Sequence, residues 1–101
     1  MVKSLDVAYA FTTCHGHLAL TNLKLNKLVY FAQVESLRQR GVELFDDAIE
    51  AWEYGPVEPA VYHEFKRFGK SVIRDCGRGA QLTYEEAQVV DYVARSYGTI
   101  E

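Results

Sequence analysis

The sequence predicts an α-rich α+β fold, with about four helices around a central apolar helix and a small β-hairpin. Three observations support this prediction. As a helix, the segment 23–41 is apolar on nearly every side, which is typical of a helix covered by neighbours. The segment 49–54 instead alternates with the period of a half-buried strand. A rigid pair, Gly55 and Pro56, then separates this strand from another amphipathic segment.

Two helices are predicted in the first part of the chain. The first runs over residues 4–14, with Ser4 as its N-cap. The second begins after a cap at Thr21 or Asn22 and runs to about residue 40. Its apolar residues form two faces that are both expected to be buried. One face consists of Leu25, Leu28, Val29 and Ala32, and the other of Tyr30, Val34 and Leu37.

The hairpin prediction rests on the alternation over 49–54 and on the two residues that follow it. Gly55 allows backbone angles that a residue with a side chain resists. Pro56 fixes the next angle and cannot donate a hydrogen bond to a neighbouring strand. The sequence therefore predicts a corner at this pair, with the segment 71–73 as the second strand of the hairpin.

Two further helices are predicted in the second half of the chain. Pro59 suits the first position of a third helix, where its missing N–H costs nothing, and Gly69 is expected to end that helix. Thr83 and Glu86 form a capping box that starts a last helix, and Gly98 ends that helix. The segment 75–80 between these helices is predicted to be a loop.

Composition limits the classes of function. The 101 residues are expected to form one domain, 1–101. The net charge of −3 argues against extensive contact with phosphates, so nucleic acid is an unfavoured partner. The two cysteines, Cys14 and Cys76, form no CxxC pair and are expected to be reduced thiols. Neither a signal peptide nor a membrane span is visible, so we expect a cytoplasmic protein with no membrane partner.

Two sequence blocks carry a resemblance to a known family. The first block consists of Leu25, Lys27, Leu28 and Tyr30, and the second of Ala51, Trp52, Tyr54, Gly55, Pro56 and Val57. In this order and spacing the blocks resemble the Panacea domain, the SocA-like antitoxin family that is also described as phage-associated. The resemblance covers about residues 21–69, with weaker agreement to 98. Relatives usually continue with another helical segment, so a missing C-terminal segment is expected here. The DNA-binding region of some relatives is also absent.

The resemblance implies a role in a toxin–antitoxin system. Such a domain binds a separately encoded protein toxin and neutralises it. SocA-like members are also described as adaptors that hand the toxin to a protease, so a protease or its unfoldase is a further implied partner. Members pair with toxins of unrelated folds, and the family name therefore does not identify the toxin. The family is not known as enzymatic, so the resemblance implies no catalytic residues, no cofactor and no enzyme activity.

A protein-binding module needs a preformed surface, which we expect on the hairpin and on the helix behind it. Gly55 and Pro56 would stiffen this surface and so lower the entropy lost on binding. The residues expected to contact the partner are Glu53, Tyr54, Glu58, Tyr62 and Lys66.

Several residues near this surface have two interpretations. For Trp52, packing in the core is favoured over a role as an aromatic anchor for a partner. Lys27 is expected to be a snorkelling or paired ammonium, with Glu50 and Glu53 as candidate counter-charges. A cluster of cations is either a solvated helix end or a partner-binding face. This cluster consists of Lys66, Arg67, Lys70, Arg74 and Arg78.

A metal site is not expected. Cys14, His15 and His17 are close in sequence, but structural zinc requires four ligands. The distant His63 and Cys76 lack the spacing of companion ligands. The same residues show no local signature of a Cys–His hydrolase.

The alternative function is that of a small DNA-binding regulator. Its first two helices would form a helix-turn-helix, with the second helix entering the major groove. A recognition helix needs a polar exposed face to contact base edges. The apolar segment 28–32 does not offer one, so this alternative is disfavoured.

Overall fold

Four α-helices and a two-stranded hairpin form the described part of the chain in a computed structural model. Residues 1–74 and 81–99 are described, so the predicted loop 75–80, with Cys76 and Arg78, lies outside them. The predicted α-rich α+β class is confirmed. No helix within these two ranges has both the length and the apolarity needed to cross a membrane. The elements are α1 (Ser4–Cys14), α2 (Asn22–Arg40), β1 (Glu50–Trp52), β2 (Gly55–Val57), α3 (Pro59–Glu64) and α4 (Tyr84–Tyr97).

Helix α2 is the central helix, as predicted, because α1, α3, α4 and β2 all pack against it. The Thr21 side chain caps its start by accepting a hydrogen bond from the Lys24 N–H at 3.2 Å. Gly41 ends it with a φ of 72°, the left-handed conformation in which glycine is favoured. The core that surrounds α2 includes Val7 and Phe11 of α1, Leu44 and Phe45 of the following segment, and Val89 and Val93 of α4.

The second apolar face of α2 is exposed, so the prediction that it is buried was wrong. Tyr30, Val34 and Leu37 are 37%, 43% and 47% exposed. The opposite face, with Leu25, Leu28, Val29 and Ala32, is buried as predicted. A domain of this size has too few elements to cover a long helix on all sides.

The C-terminal half of α2 is tied to α4 through a buried carboxylate. Arg38 donates a hydrogen bond from Nε to Oε2 of Glu35 at 2.9 Å. These hydrogen bonds hold the pKa of Glu35 below its usual range, and the pKa of Arg38 is raised in turn. The Arg38 guanidinium also lies 5.5 Å from the ring centroid of Tyr92 on α4. The pair therefore anchors the end of one helix against the side of another.

Helix α1 begins with a different cap from the predicted one. Lys3 is the N-cap, and its backbone N–H donates to Asp6 Oδ2 at 3.0 Å. Ser4 is instead the first helical residue and is fully buried. Farther along α1, the Tyr9 hydroxyl donates to the Glu64 carboxylate at the end of α3. This contact fixes α3 against the first helix.

The hairpin has a different second strand from the one predicted. Strand β1 pairs antiparallel with β2, with Trp52 opposite Gly55, so Glu53 and Tyr54 form a two-residue turn. The prediction that 71–73 pairs with β1 was wrong. An antiparallel ladder alternates hydrogen-bonded and non-bonded positions, so a strand can hold Pro56 where no donor is needed.

The connection from α3 to the rest of the chain also differs from the prediction. A single helix was expected to reach Gly69, but α3 ends at Glu64 and a 3₁₀ turn, Lys66–Phe68, follows. Gly69 then has a φ of 58°. The Ile73 N–H donates to the Leu20 carbonyl at 2.8 Å, which returns the chain to the start of α2.

Truncating a side chain on the buried face of α2 should lower the free energy of unfolding more than truncating one on the exposed face. Leu28→Ala should lower the free energy of unfolding by about 2–5 kcal/mol, because it empties a site in the core. Leu37→Ala is the matched control on the exposed face and should change it by about 0.5 kcal/mol or less. Denaturant titration of the two variants measures the difference. Equal losses would contradict the orientation of α2.

Candidate partner-binding groove

A groove of about 740 Å³ opens between the start of α2, the tip of the hairpin, and α3 with the turn that follows it. Tyr54, Tyr62 and Lys66 line it, so three of the five residues expected to contact a partner share one concave surface. The remaining lining residues are Thr21, Asn22, Leu23, Gly69 and Lys70.

A buried network of polar side chains fixes the walls of the groove. The Glu58 backbone N–H donates to Asn26 Oδ1 at 2.9 Å. Asn26 Nδ2 donates to the Asn22 carbonyl and to Asn22 Oδ1, each at 2.9 Å. Asn22 Nδ2 then donates to the Tyr62 carbonyl at 2.9 Å. Helix α2 is therefore bonded both to the end of the hairpin and to α3.

Glu58 is buried, contrary to the expectation that it lies on the partner-facing surface. Only 4% of the residue is exposed. Its Oε2 accepts a hydrogen bond from the Val61 N–H at 2.9 Å and so caps α3. The backbone N–H of the same residue is held by Asn26. Glu58 therefore positions the groove and is not available to contact a partner.

The tip of the hairpin approaches α2 closely. Gly55 has a φ of 125°, a conformation that residues with side chains rarely adopt. A Cβ at this position would lie 3.2 Å from Lys27 Cε. The Lys27 stem thus packs against the hairpin, in agreement with a snorkelling lysine. No ion pair to Glu50 or Glu53 is formed among the described residues.

Trp52 is exposed, contrary to the expectation of core packing. Strand β2 packs against α2, which leaves β1 as the outer strand of the hairpin. Trp52 is 39% exposed, and its ring meets the Tyr62 ring edge-on, with the centroids 5.0 Å apart. Its Nε1 donates to Glu50 Oε1 at 2.9 Å. An aromatic pair therefore stands on the outer side of the groove.

The other expected contact residues lie at or near the tip. Tyr54 is 68% exposed in the turn, and Glu53 beside it is exposed but does not line the groove.

The residues of the two motif blocks differ in burial. The buried ones are Leu25, Leu28 and Val57, and the half-buried ones are Lys27, Gly55 and Pro56. The exposed ones are Tyr30, Ala51, Trp52 and Tyr54.

The structure divides the cluster of cations. Lys66 and Lys70 are exposed and line the groove. Arg67 instead donates from Nη1 to the Glu64 carbonyl at 2.8 Å and lies over the Phe68 ring. Arg74 is exposed but does not line the groove, and Arg78 lies outside the described residues. Among the described members of this cluster, only the two lysines are thus placed to meet a partner in the groove.

The described residues among those considered for zinc binding do not converge. Cys14 is exposed, and His15 Nε2 lies 2.8 Å from Asp91 Oδ1. Across residues 1–74 and 81–99, no three His, Cys, Asp or Glu side chains are grouped so that they could hold a metal ion. Cys76 lies outside these ranges. The groove itself offers aromatic faces, hydroxyls and ammonium groups, which suit recognition of a partner.

Sequence reasoning missed Asn22 as a network residue, and it missed Asn26 and Leu23 altogether. Lys70 was considered only as a member of the cation cluster. Asn22 was considered only as a helix cap. Asn22 and Asn26 are four residues apart on the inner side of α2, where asparagine has low helix propensity. A pair of amides at this spacing among apolar residues indicates a buried hydrogen-bond network. That signal was present in the sequence, although it could not identify the acceptor and donor groups on the hairpin.

Known proteins resemble this chain in sequence. The family model described as "Antitoxin SocA-like, Panacea domain" matches residues 25–101, which is most of the chain. Antitoxin SocA of Caulobacter vibrioides (strain NA1000 / CB15N) is 41% identical over 56 residues. This match covers 55% of the present chain and 30% of that relative, so the chain aligns with less than a third of the relative's length. No solved structure matches.

Proposed function

The chain belongs to the Antitoxin SocA-like family with a Panacea domain, and on this basis we propose that it binds a protein toxin and neutralises it. The family match over residues 25–101 is the observation that carries this proposal. It includes five of the eight described residues that line the groove, namely Tyr54, Tyr62, Lys66, Gly69 and Lys70. Binding alone neutralises a toxin when it covers the toxin's functional site, so this function requires no catalytic centre. We place this binding in the cytosol.

The groove is the surface that we propose for the toxin. Tyr54 and Tyr62 offer large amphipathic side chains with few rotatable bonds, which lose little entropy on binding. Trp52 extends the aromatic surface beyond the groove through its contact with Tyr62. Because Gly55 and the asparagine network hold these side chains on a fixed backbone, the surface is preformed.

A finer proposal concerns the fate of the bound toxin. By its resemblance to SocA-like adaptors, the chain would deliver the toxin to a protease or its unfoldase. Delivery requires that the toxin be bound first, so this proposal depends on the groove. The half-life of the toxin in cells with and without this chain tests it. A shortened half-life supports delivery, and an unchanged half-life contradicts it.

The DNA-binding alternative gains no support. In a helix-turn-helix, α2 would present its outer face to base edges, which are read by polar side chains. That outer face carries Tyr30, Val34 and Leu37. These residues cannot supply the required hydrogen bonds, apart from the single hydroxyl of the tyrosine.

Loss of the groove's contacts should abolish neutralisation while the fold is kept. We expect that Tyr62→Ala or Lys66→Ala prevents rescue of cells that express the toxic product of the neighbouring gene. A lost hot-spot contact costs about 2 kcal/mol or more, which weakens binding about thirtyfold. Trp52→Ala should act in the same way, because this side chain is exposed. Growth under co-expression is the measurement.

Thermal melts must show that these variants are folded. Tyr84→Ala is the matched control, because Tyr84 is an equally large exposed aromatic on α4 and does not line the groove. The control should rescue fully. Full rescue by folded Tyr62→Ala and Lys66→Ala would show that the groove does not bind the toxin.

A further inference from the structure

The groove continues into a second depression on the other side of Leu23. Thr21 and Leu23 line both depressions. The second depression also includes Lys24 and Lys27 of α2. We call the two depressions together the double groove. Because they share two residues, one extended segment of a partner can cross Leu23 and occupy both.

Among the described residues, the charges that line the double groove all have the same sign. They are Lys66 and Lys70 in one depression and Lys24 and Lys27 in the other, and no carboxylate of residues 1–74 or 81–99 lines either. The chain as a whole has 14 acidic and 11 basic residues. In the described part of the lining, these four lysines therefore locally reverse the overall charge.

These lysines keep donors available for a partner. Lys24 Nζ donates to the Leu18 carbonyl at 3.3 Å, which uses one of its three N–H groups. No ion pair links any of the four lysines to a carboxylate within the described ranges. Two described acidic residues beside the groove do not offset them. Glu58 is buried in the cap of α3, and Glu53 lies outside the lining.

We propose that the double groove binds an acidic segment of the toxin. Carboxylates of that segment contact the four lysines, and an apolar side chain between them rests on Leu23. This inference depends on the proposed function, because it names the chemistry of the toxin surface that the groove recognises. Charge complementarity of this kind raises the association rate and selects the partner.

An acidic protein segment fits the surface better than a single-stranded nucleic acid does. Aromatic rings beside lysines also suit stacked bases. A nucleic acid, however, carries a charge at every phosphate and would extend beyond the groove over an acidic protein. Glu50 and Glu53 on the adjacent hairpin would repel that backbone. A protein segment can confine its carboxylates to the lysines.

The test is the affinity of the full chain for the purified product of the adjacent gene, measured by calorimetry at 50 and 300 mM NaCl. We expect the higher salt to weaken binding by about tenfold, because exposed charges are screened. The double variant Lys24→Gln/Lys70→Gln should bind about tenfold more weakly at low salt and lose most of the salt dependence. Lys3→Gln/Arg95→Gln, which removes two exposed cations outside the lining, should match the unchanged chain.

Tiled 15-residue peptides of the same product identify the segment. The captured peptides should carry a net negative charge, and the lysine double variant should no longer capture them. Thermal melts check that this variant is folded. If it melts early, the single variant Lys70→Gln, at an exposed site, should show the same effects with smaller amplitude.

The outcomes separate this inference from the proposed function. If Tyr62→Ala abolishes binding but salt and the lysine variant have no effect, the acidic segment is excluded while toxin binding stands. Capture of basic peptides also excludes it. Tighter binding of a 20-nucleotide oligo-dT than of the protein would overturn it in favour of single-stranded nucleic acid. If the chain does not bind the adjacent product at all, the proposed function and this inference both fail.

Discussion

One buried hydrogen bond, from the Glu58 N–H to Asn26 Oδ1, determines how the hairpin and α3 sit on α2. The donor belongs to the residue between β2 and α3, and the acceptor lies on the central helix. Leaving either group buried and unpaired would cost about 1–3 kcal/mol. A different placement of the hairpin on α2 is therefore energetically unfavourable. Asn22 adds a second bond, to the Tyr62 carbonyl. The groove exists because these two amides hold three elements in one arrangement.

The architecture separates support from recognition. The supporting groups are buried and already bonded, as shown by Asn26 and by the Glu58 cap of α3. The groups proposed for recognition, Tyr54 and Lys66, are exposed on the backbone that these bonds fix. A binding protein gains from this division, because side chains adapt to a partner while the backbone loses little entropy.

The sequence was sufficient where structure is decided locally. The cap at Thr21, the capping box of Thr83 and Glu86, and the period change near β1 identified α2, α4 and the first strand of the hairpin. Gly55 was correctly taken as the point where the backbone needs special freedom. The corner predicted at Gly55 and Pro56 was misplaced, because both residues lie in β2 and Glu53 and Tyr54 form the turn.

The sequence was insufficient to predict features that depend on which elements pack together in the fold. Whether Tyr30 or Trp52 is covered depends on which elements pack beside it, and both are exposed. The sequence suggests that Glu58 is exposed, because it does not show that the Glu58 N–H is bonded to Asn26 in the interior. The second strand of the hairpin was predicted at 71–73 because the actual strand, β2, contains Pro56. A proline is tolerated in a strand where its missing N–H is not needed for pairing. The groove was anticipated only in part, because Leu23 and Lys70 join it through tertiary contacts.

The most direct test of the role of Asn26 is to measure amide hydrogen exchange in the variant Asn26→Ala. Gln33→Ala is the control, because Gln33 lies on the same side of α2 and forms hydrogen bonds with the 44–45 segment. Exchange should accelerate about tenfold or more over residues 55–62 in Asn26→Ala and only around 44–45 in Gln33→Ala. Unchanged protection over 55–62 in Asn26→Ala, or an equal loss along the whole chain, would contradict the account.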